Sequence, residues 1–345
     1  DEVARIRAAR LALGRGQHRV AGDTASEAIL LTHETGDREG MLSALLVLAD
    51  AQDAMGNTVR ALRTADRALT LAREIGSPPG VARSLIMQGF GQIHQGRYDQ
   101  ALQLFQEARA TALEHHLRYH LAAALSGIRR VQSNTNALKE ALATAREELI
   151  LWRDLGLLRQ EAEALEGEAM IHDLLGHPSA SLRALKQARD ISRQLNQPLR
   201  LAINQYNLAC SLLYHDDGDA TRAIEASRQA LDTFRRYQQP GREVAALTIL
   251  GYAFWVDEQH GNALAVFQQA YASCERIGEL ARLPELLAYQ GLAYLGLDRS
   301  RDALDSTRRA ILAFAQGKVS DEVVPEIYYA HAMALAANEI GRAHV

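Results

Sequence analysis

The sequence predicts an all-α fold, a solenoid of antiparallel helix pairs with about eight repeats and a terminal helix. Three observations support this class. Small residues recur about every 40 residues, apolar residues recur at three- and four-residue steps between them, and no strand-like alternation persists along the 345-residue chain. A single helix pair cannot bury its own apolar face, so pairs that repeat in this way must stack on one another.

The second helix of each predicted pair carries the clearest ladder of small residues. Stretches such as "ALQLFQEA" (101–108) and "ALAVFQQA" (263–270) end on an alanine, and most steps between successive members are 40 or 42 residues. One step of 80 residues spans a degenerate copy, in which Glu148 stands at the usual alanine site. The members of this ladder are Ala28, Ala68, Ala108, Ala188, Ala230, Ala270 and Ala310.

The first helix of each pair carries a second ladder, about 19 residues upstream. We expect it to face the alanines of the second helix, because helices approach closely only where bulky side chains are absent; a larger residue would cost about 1–3 kcal/mol. Its members are Ala9, Ala49, Gly89, Gly127, Ala169, Ala209, Gly251 and Gly291. A third series closes the units with residues that tolerate the left-handed conformation, namely Gly36, Gly76, Gly156, Asn196, Gly278 and Gly317.

These ladders predict one continuous solenoid over residues 1–345, because no linker rich in Pro, Gly or Ser divides the chain. Residues 319–345 are expected to form a terminal helix or a truncated ninth repeat. The chain begins with "DEVARIRAAR" and without a Met, so we expect a fragment of a longer protein. The predicted repeats are 1–37, 38–77, 78–116, 117–156, 157–196, 197–240, 241–279 and 280–318.

Three segments align with one another and carry a family resemblance: "GFGQIHQGRYDQALQLFQEA" (89–108), "GYAFWVDEQHGNALAVFQQA" (251–270) and "GLAYLGLDRSRDALDSTRRA" (291–310). A small residue in the first helix and an Ala–x3–aromatic–x2–Ala run in the second resemble the tetratricopeptide repeat (TPR). The period of about 40 residues exceeds the usual 34, and the Trp near the start of the standard repeat is missing. The longer period is similar to the repeat domains of bacterial maltose-activator-like and other STAND regulators.

The resemblance implies a right-handed superhelix whose first helices line a concave groove for a protein or peptide segment. The expected groove residues are Asp50, Asp53, Arg83, Phe90, Glu166, Asp173, Tyr206, Tyr252 and Trp255. The aromatic residues are either anchors for a partner or packing between repeats. The acidic residues either favour a basic partner segment or form a solvated face.

Composition narrows the partner class. The net charge of -4 offers no basic footprint for direct nucleic-acid binding. No apolar run approaches the roughly 18 residues of a membrane helix. Two cysteines, Cys210 and Cys274, lie in helical patterns without a CxxC motif, so we expect reduced thiols in a cytoplasmic protein.

Sequence motifs for chemistry are weak. His116 and His120 have metal-ligand spacing on a helix, but no nearby Cys or HExxH Glu completes a site, so the segment beginning at His115 is interpreted as a solvated boundary. "HDDGDA" (215–220) lacks a calcium loop's spaced carboxylates, and Asp219 is predicted to cap a helix. Without a phosphate loop or nucleophile motif, we expect no enzyme activity, no metal and no cofactor.

Two functions remain open at the level of sequence. The first is a non-catalytic scaffold or adaptor module within a larger bacterial regulatory protein, which holds a protein segment in its groove. The alternative is the ligand-sensing domain of a STAND or LuxR-type transcription regulator that binds a small molecule such as an oligosaccharide. Both rest on the same repeat, because a fold does not by itself specify a function.

Overall fold

A computed structural model describes residues 2–213, 219–316 and 324–343. These residues form α-helices joined by short turns, with one short 3₁₀ helix and no strand among them. The chain divides into two compact units, Asp1–Leu175 and Gly176–Val345. Each unit is a stack of helix pairs, as the small-residue ladders predict.

The first unit contains helices α1 to α9. They are α1 (Glu2–Gly14), α2 (His18–Thr35), α3 (Arg38–Ala54), α4 (Thr58–Glu74), α5 (Pro78–His94), α6 (Tyr98–Glu114), α7 (Arg118–Asn134), α8 (Leu138–Asp154) and α9 (Leu158–Leu174).

The second unit contains helices α10 to α17 and a 3₁₀ helix, Leu280–Arg282, before α15. The α-helices are α10 (Pro178–Gln194), α11 (Pro198–Leu213), α12 (Ala220–Arg236), α13 (Pro240–Val256), α14 (His260–Ile277), α15 (Leu283–Gly296), α16 (Ser300–Gln316) and α17 (Val324–Ala343). The predicted terminal helix is α17, whereas Gly317 lies outside the described residues.

Within each unit the odd-numbered helices, here called A helices, contact the next A helix as well as their neighbours in sequence. Among the described residues, the even-numbered B helices chiefly contact the A helices directly before and after them in the sequence. The A helices are therefore the more closely spaced set and line the inner side of each unit. No described helix combines the length and the apolar character that crossing a bilayer requires.

The turns explain the repeat period. Most helices have 17 residues, and the turns contain a residue with positive φ, such as Gly76 (φ 64°) or Asn196 (φ 54°). After α4 the amide of Ser77 donates to the carbonyl of Ala72 at 2.8 Å, which closes the helix as a Schellman turn does. One helix and one three-residue turn thus occupy about 20 residues, and a pair occupies about 40.

The small-residue ladders are buried, and aromatic rings occupy the space that they leave. A Cβ added to Gly89 would lie 2.7 Å from the Phe105 ring, and one added to Gly127 would lie 2.2 Å from the same ring. Gly251 has the same relation to Phe267. The nearest side chain is thus the aromatic of the B helix and not the alanine three residues later, which corrects the expected pairing of small residue with small residue.

The degenerate fourth pair has a polar core. Glu148 is 1% exposed, and its Oε2 accepts a hydrogen bond from Nε of Arg129 at 2.7 Å. Nε1 of Trp152 donates to the other carboxylate oxygen at 3.2 Å. A Cβ on Gly167 of α9 would lie 2.0 Å from the Arg129 guanidinium, so this glycine leaves room for the cation. A buried ion pair therefore replaces the small-residue contact in this repeat.

Candidate functional site

The inner side of the second unit carries an aromatic cluster, defined here as Tyr252, Trp255 and Tyr289. The rings of Tyr252 and Trp255 stack at 5.6 Å with 25° between their planes. Tyr289 on the next A helix lies 5.7 Å from Tyr252 and stacks on the buried Phe267 at 5.3 Å. All three residues of the cluster are half-buried, so each ring packs on one side and reaches the surface on the other.

Two carboxylates adjoin this aromatic cluster. Glu285 accepts a hydrogen bond from the Tyr289 hydroxyl, and burial raises the pKa of Glu285, with the charge of Glu326 acting in the same direction and Arg282 opposing it. Burial also raises the pKa of Tyr252, again helped by Glu326. The rings thus lie beside an excess of acidic groups, an arrangement that suits a cation.

Tyr206 occupies a different part of the same unit. Burial, helped by a hydrogen bond with Cys210, raises its pKa far above the ordinary value of 10.0. Its electrostatic neighbours include Arg282 and Glu285, which connects it to the carboxylate side of the cluster. The sequence predicts ring clustering of Tyr206 with Tyr252 and Trp255, whereas the described ring contacts of Tyr252 are with Trp255 and Tyr289.

Sequence reasoning missed Glu285 and Tyr289. Glu285 lies six residues before the small residue Gly291, just as the expected groove residue Arg83 lies six residues before Gly89. Applying this spacing rule to the eighth repeat would have found Glu285. Tyr289 lies two residues before the same glycine, outside the rule, and only its packing on Phe267 brings it into the cluster.

In the first unit, the predicted acidic residues of α3 face Arg83 and His94 on α5. Asp50 accepts a 2.5 Å hydrogen bond from Arg83, although burial still raises the Asp50 pKa. Asp53 lies 3.6 Å from Nδ1 of His94. The Asp50 carboxylate is therefore compensated locally by Arg83. Glu166 and Asp173 on α9 are half-buried, and each has an interaction partner within the chain.

Phe90 contacts both a neighbouring aromatic ring and a cavity. Its ring contacts Phe105 edge-on at 5.1 Å, and it also lines a cavity of about 240 Å³ together with Asp50, Asp53 and His94. Arg130 of α7 completes the polar rim. This residue therefore packs between repeats and remains accessible from the inner side of its unit.

The remaining candidates have ordinary surroundings. His115 and His116 are exposed, and the described residues hold no group of three or more His, Cys, Asp or Glu side chains arranged for a metal. Asp219 caps α12, since its Oδ1 accepts a hydrogen bond from the amide of Arg222 at 3.0 Å. Both cysteines are free thiols, and burial raises the pKa of Cys274 to about 11.

The small positions predicted to be structural are all buried. They are Ala49, Ala68, Gly89, Ala108, Ala169, Ala188, Ala209, Ala230, Gly251, Ala270, Gly291 and Ala310.

Comparison with known proteins gives structural relatives. No family model and no curated protein sequence matches the chain. A Rap protein complexed with competence and sporulation factor has a TM-score of 0.65 at 13% identity, over 98% of this chain and 97% of that chain. A STAND protein with a TPR sensor from Pyrococcus horikoshii has a TM-score of 0.67 at 12% identity, over 93% and 50%.

A TPR protein from Parabacteroides merdae is also similar, with a TM-score of 0.56 at 14% identity over 84% of this chain and 98% of that chain. At these identities the likeness concerns the fold. Together with the stacked pairs and the buried small-residue ladders, it shows that the chain has a TPR-like fold of stacked helix pairs.

Proposed function

We propose that the chain is a non-catalytic protein-interaction module, and that the inner side of its second unit holds an extended peptide segment with a basic residue. The observation that carries this proposal is the half-buried cluster of Tyr252, Trp255 and Tyr289 on consecutive A helices. Half-buried aromatic side chains are the usual anchors of protein interfaces because they bury much area at little conformational cost.

The acidic surroundings of the cluster support a basic partner residue. Burial raises the pKa of Glu285 despite the opposing charge of Arg282, and the charge of Glu326 adds to the effect of burial. A further Lys or Arg side chain beside Glu285 would favour its ionised form. A cation over the faces of Tyr252 or Trp255 gains a further interaction with the ring. The expected ligand is therefore a segment in which a basic residue neighbours an apolar one.

A regulatory setting is supported by the structural relatives. The Rap protein was solved with competence and sporulation factor, and the STAND relative uses a TPR sensor. This chain matches half of the STAND protein's length, which fits a repeat module carried by a longer regulator. Sequencing the gene on both sides of the chain tests this: nucleotide-binding and output domains support it, and unrelated neighbours contradict it.

The peptide proposal is tested by selection from a displayed library of random 12-residue peptides. We expect the enriched sequences to contain Lys or Arg beside an aliphatic or aromatic residue. One enriched peptide is then synthesised with a fluorescent label and titrated by anisotropy. Tyr252→Ala/Trp255→Ala and Glu285→Gln should each weaken binding by about tenfold or more, which equals about 1.4 kcal/mol.

The matched control is Tyr237→Ala, which removes an exposed tyrosine at the end of the B helix α12. Its affinity should stay within about twofold of the parent. If the double variant binds the peptide normally but melts earlier, the aromatic cluster is packing and the proposal is wrong. If the selected peptides lack basic residues, the preference for a basic residue is refuted, but the proposal of a peptide-binding site is not.

A further inference from the structure

The B-helix side of the second unit contains a cavity of about 270 Å³ between α10, α11 and α12. Leu182 and Leu208 contribute apolar side chains to its lining, which also includes Asn204. This cavity is separate from the aromatic cluster, because its lining comes from a different set of helices. Its volume lies just below the roughly 300 Å³ at which typical ligand pockets begin, so only a small molecule fits it.

Four cations line this cavity. Arg183, Lys186 and Arg189 recur at three-residue steps along α10, and Arg222 approaches from α12. Arg189 lies 3.7 Å from Asp190, and Arg222 lies 3.6 Å from Asp219. Among the described residues, Arg183 and Lys186 have no ion-pair partner. The cations therefore outnumber the adjacent acids, and the cavity favours an anion.

Asn204 gives a second and independent sign of a ligand. The side chain is 2% exposed, and its Nδ2 donates to Oγ of Ser192 at 3.0 Å and to the carbonyl of Arg200 at 3.1 Å. Its Oδ1 is buried and accepts no hydrogen bond from any described residue. Nε of Arg189 is likewise buried; it lies 3.7 Å from Asp190 and donates no hydrogen bond to any described residue. Unpaired buried polar atoms are costly, so they mark places where a ligand can supply the missing partner.

The equivalent cavity one repeat later has different chemistry. It lies between α12, α13 and α14, and Arg228 there occupies the helical position of Lys186. By the same alignment, Leu231 replaces Arg189, Ala246 replaces Asn204 and Asn262 replaces Arg222. Arg228 lies over the Phe254 ring at 5.4 Å. The lining of this later cavity also includes Arg235, which pairs with Glu243 at 3.0 Å. The run of three cations on one helix and the buried amide are therefore found in the first cavity and are not general features of the repeat.

We propose that the cavity between α10, α11 and α12 binds a small phosphorylated molecule that also presents an N–H or O–H donor. The phosphate pairs with Lys186, Arg189 and Arg222, since guanidinium groups and ammonium groups hold phosphate oxygens by charge-assisted hydrogen bonds. The donor pairs with Oδ1 of Asn204, and the apolar part of the molecule lies against Leu182 and Leu208.

The test is calorimetric titration of the whole chain with adenosine monophosphate and with glucose 6-phosphate. Adenosine, glucose and inorganic phosphate serve as the separated parts of these probes. We expect at least one phosphorylated probe to bind more tightly than its parts. Lys186→Gln and Arg189→Gln should each weaken that binding about tenfold, and Arg228→Gln, the matched change in the neighbouring cavity, should leave it within about twofold.

Thermal melts of each variant separate loss of binding from loss of folding, and Lys186 is exposed, so its variant should melt with the parent. The proposal is overturned if neither probe binds at about 10 mM, or if Arg228→Gln weakens binding as much as Lys186→Gln does. A phosphoserine peptide is titrated in parallel. If that peptide binds through Lys186 and neither small probe does, the ligand is a modified protein and the small-molecule assignment is wrong.

Discussion

Nε of Arg129 donates a 2.7 Å hydrogen bond to Oε2 of Glu148 across the buried contact between α7 and α8. Elsewhere in the chain the position of Glu148 is an alanine. A charge so deeply buried is tolerated only while its partner is present, because desolvation of a single ion costs several kcal/mol. The fourth repeat therefore depends on the pair as a unit.

Removing one partner should destabilise the first unit strongly. We expect Glu148→Ala to lower the free energy of unfolding by about 3–5 kcal/mol, because it leaves the Arg129 guanidinium buried and unpaired. Adding Arg129→Met to that variant should recover most of the loss. The measurement is urea unfolding followed by circular dichroism.

Arg130→Met is the control for this series, since Arg130 is the exposed neighbour on the same helix. Its effect should stay within about 0.5 kcal/mol. A Glu148→Ala variant as stable as the parent would show that the ion pair is dispensable.

A side chain added at Gly127 should destabilise the fold. Gly127→Ala places a Cβ 2.2 Å from the Phe105 ring, so we expect a loss of about 1–3 kcal/mol from overpacking. The smaller side chain of Phe105→Leu should make the same Gly127→Ala change less costly, which a double-mutant cycle measures. Gly14→Ala is the control, because nothing lies within 4 Å of its added Cβ. Purely additive effects in the cycle would refute the contact.

Glu258 holds a left-handed conformation at the turn after α13, with φ of 56°. This conformation costs an ordinary L-residue about 1–2 kcal/mol, and part of that is recovered by glycine. Glu258→Gly should therefore raise the free energy of unfolding by about 0.5–1 kcal/mol. Asn136→Gly at an equivalent φ of 60° should gain less, because Asn already tolerates this region. An equal gain at both turns would contradict this explanation.

His120 should make stability depend on pH. Burial, and then the charge of Arg83, lowers its pKa below the ordinary 6.5. The unfolded chain therefore binds the proton first as pH falls, and stability is lost as pH decreases through 6.5 towards the folded pKa. Between pH 7.5 and about pH 5.5, we expect the wild type to lose more free energy of unfolding than His120→Gln does. A constant difference over this range would contradict the prediction.

Much of the architecture could be predicted because its causes are local. The 17-residue helices follow from apolar steps of three and four residues, and their ends follow from residues such as Gly76 and Asn196 that accept positive φ. The burial of Gly89 and Ala108 could be anticipated from their recurrence alone. The partner of Gly89 could not, because a periodic pattern shows that a site is small and not which ring fills it.

Less of the candidate site could be predicted from the sequence pattern. Asp50 looks like a free acidic group in the sequence, and its ion pair with Arg83 joins residues 33 positions apart. Tyr289 follows no inward spacing, yet its ring joins the cluster through Phe267. Both relations depend on how one helix is rotated against the next, which is set by side-chain packing between repeats.

By itself, the sequence determined the helical class, the 40-residue unit, the positions of the turns and the buried small residues, because each follows from short-range periodicity and backbone preference. Only the tertiary structure decided which charges are compensated, which aromatic rings meet and where a buried amide oxygen without a described partner lies beside a basic cavity. Those outcomes arise from contacts between residues far apart in the chain, and one rotation of a helix face would change them without altering the repeat pattern.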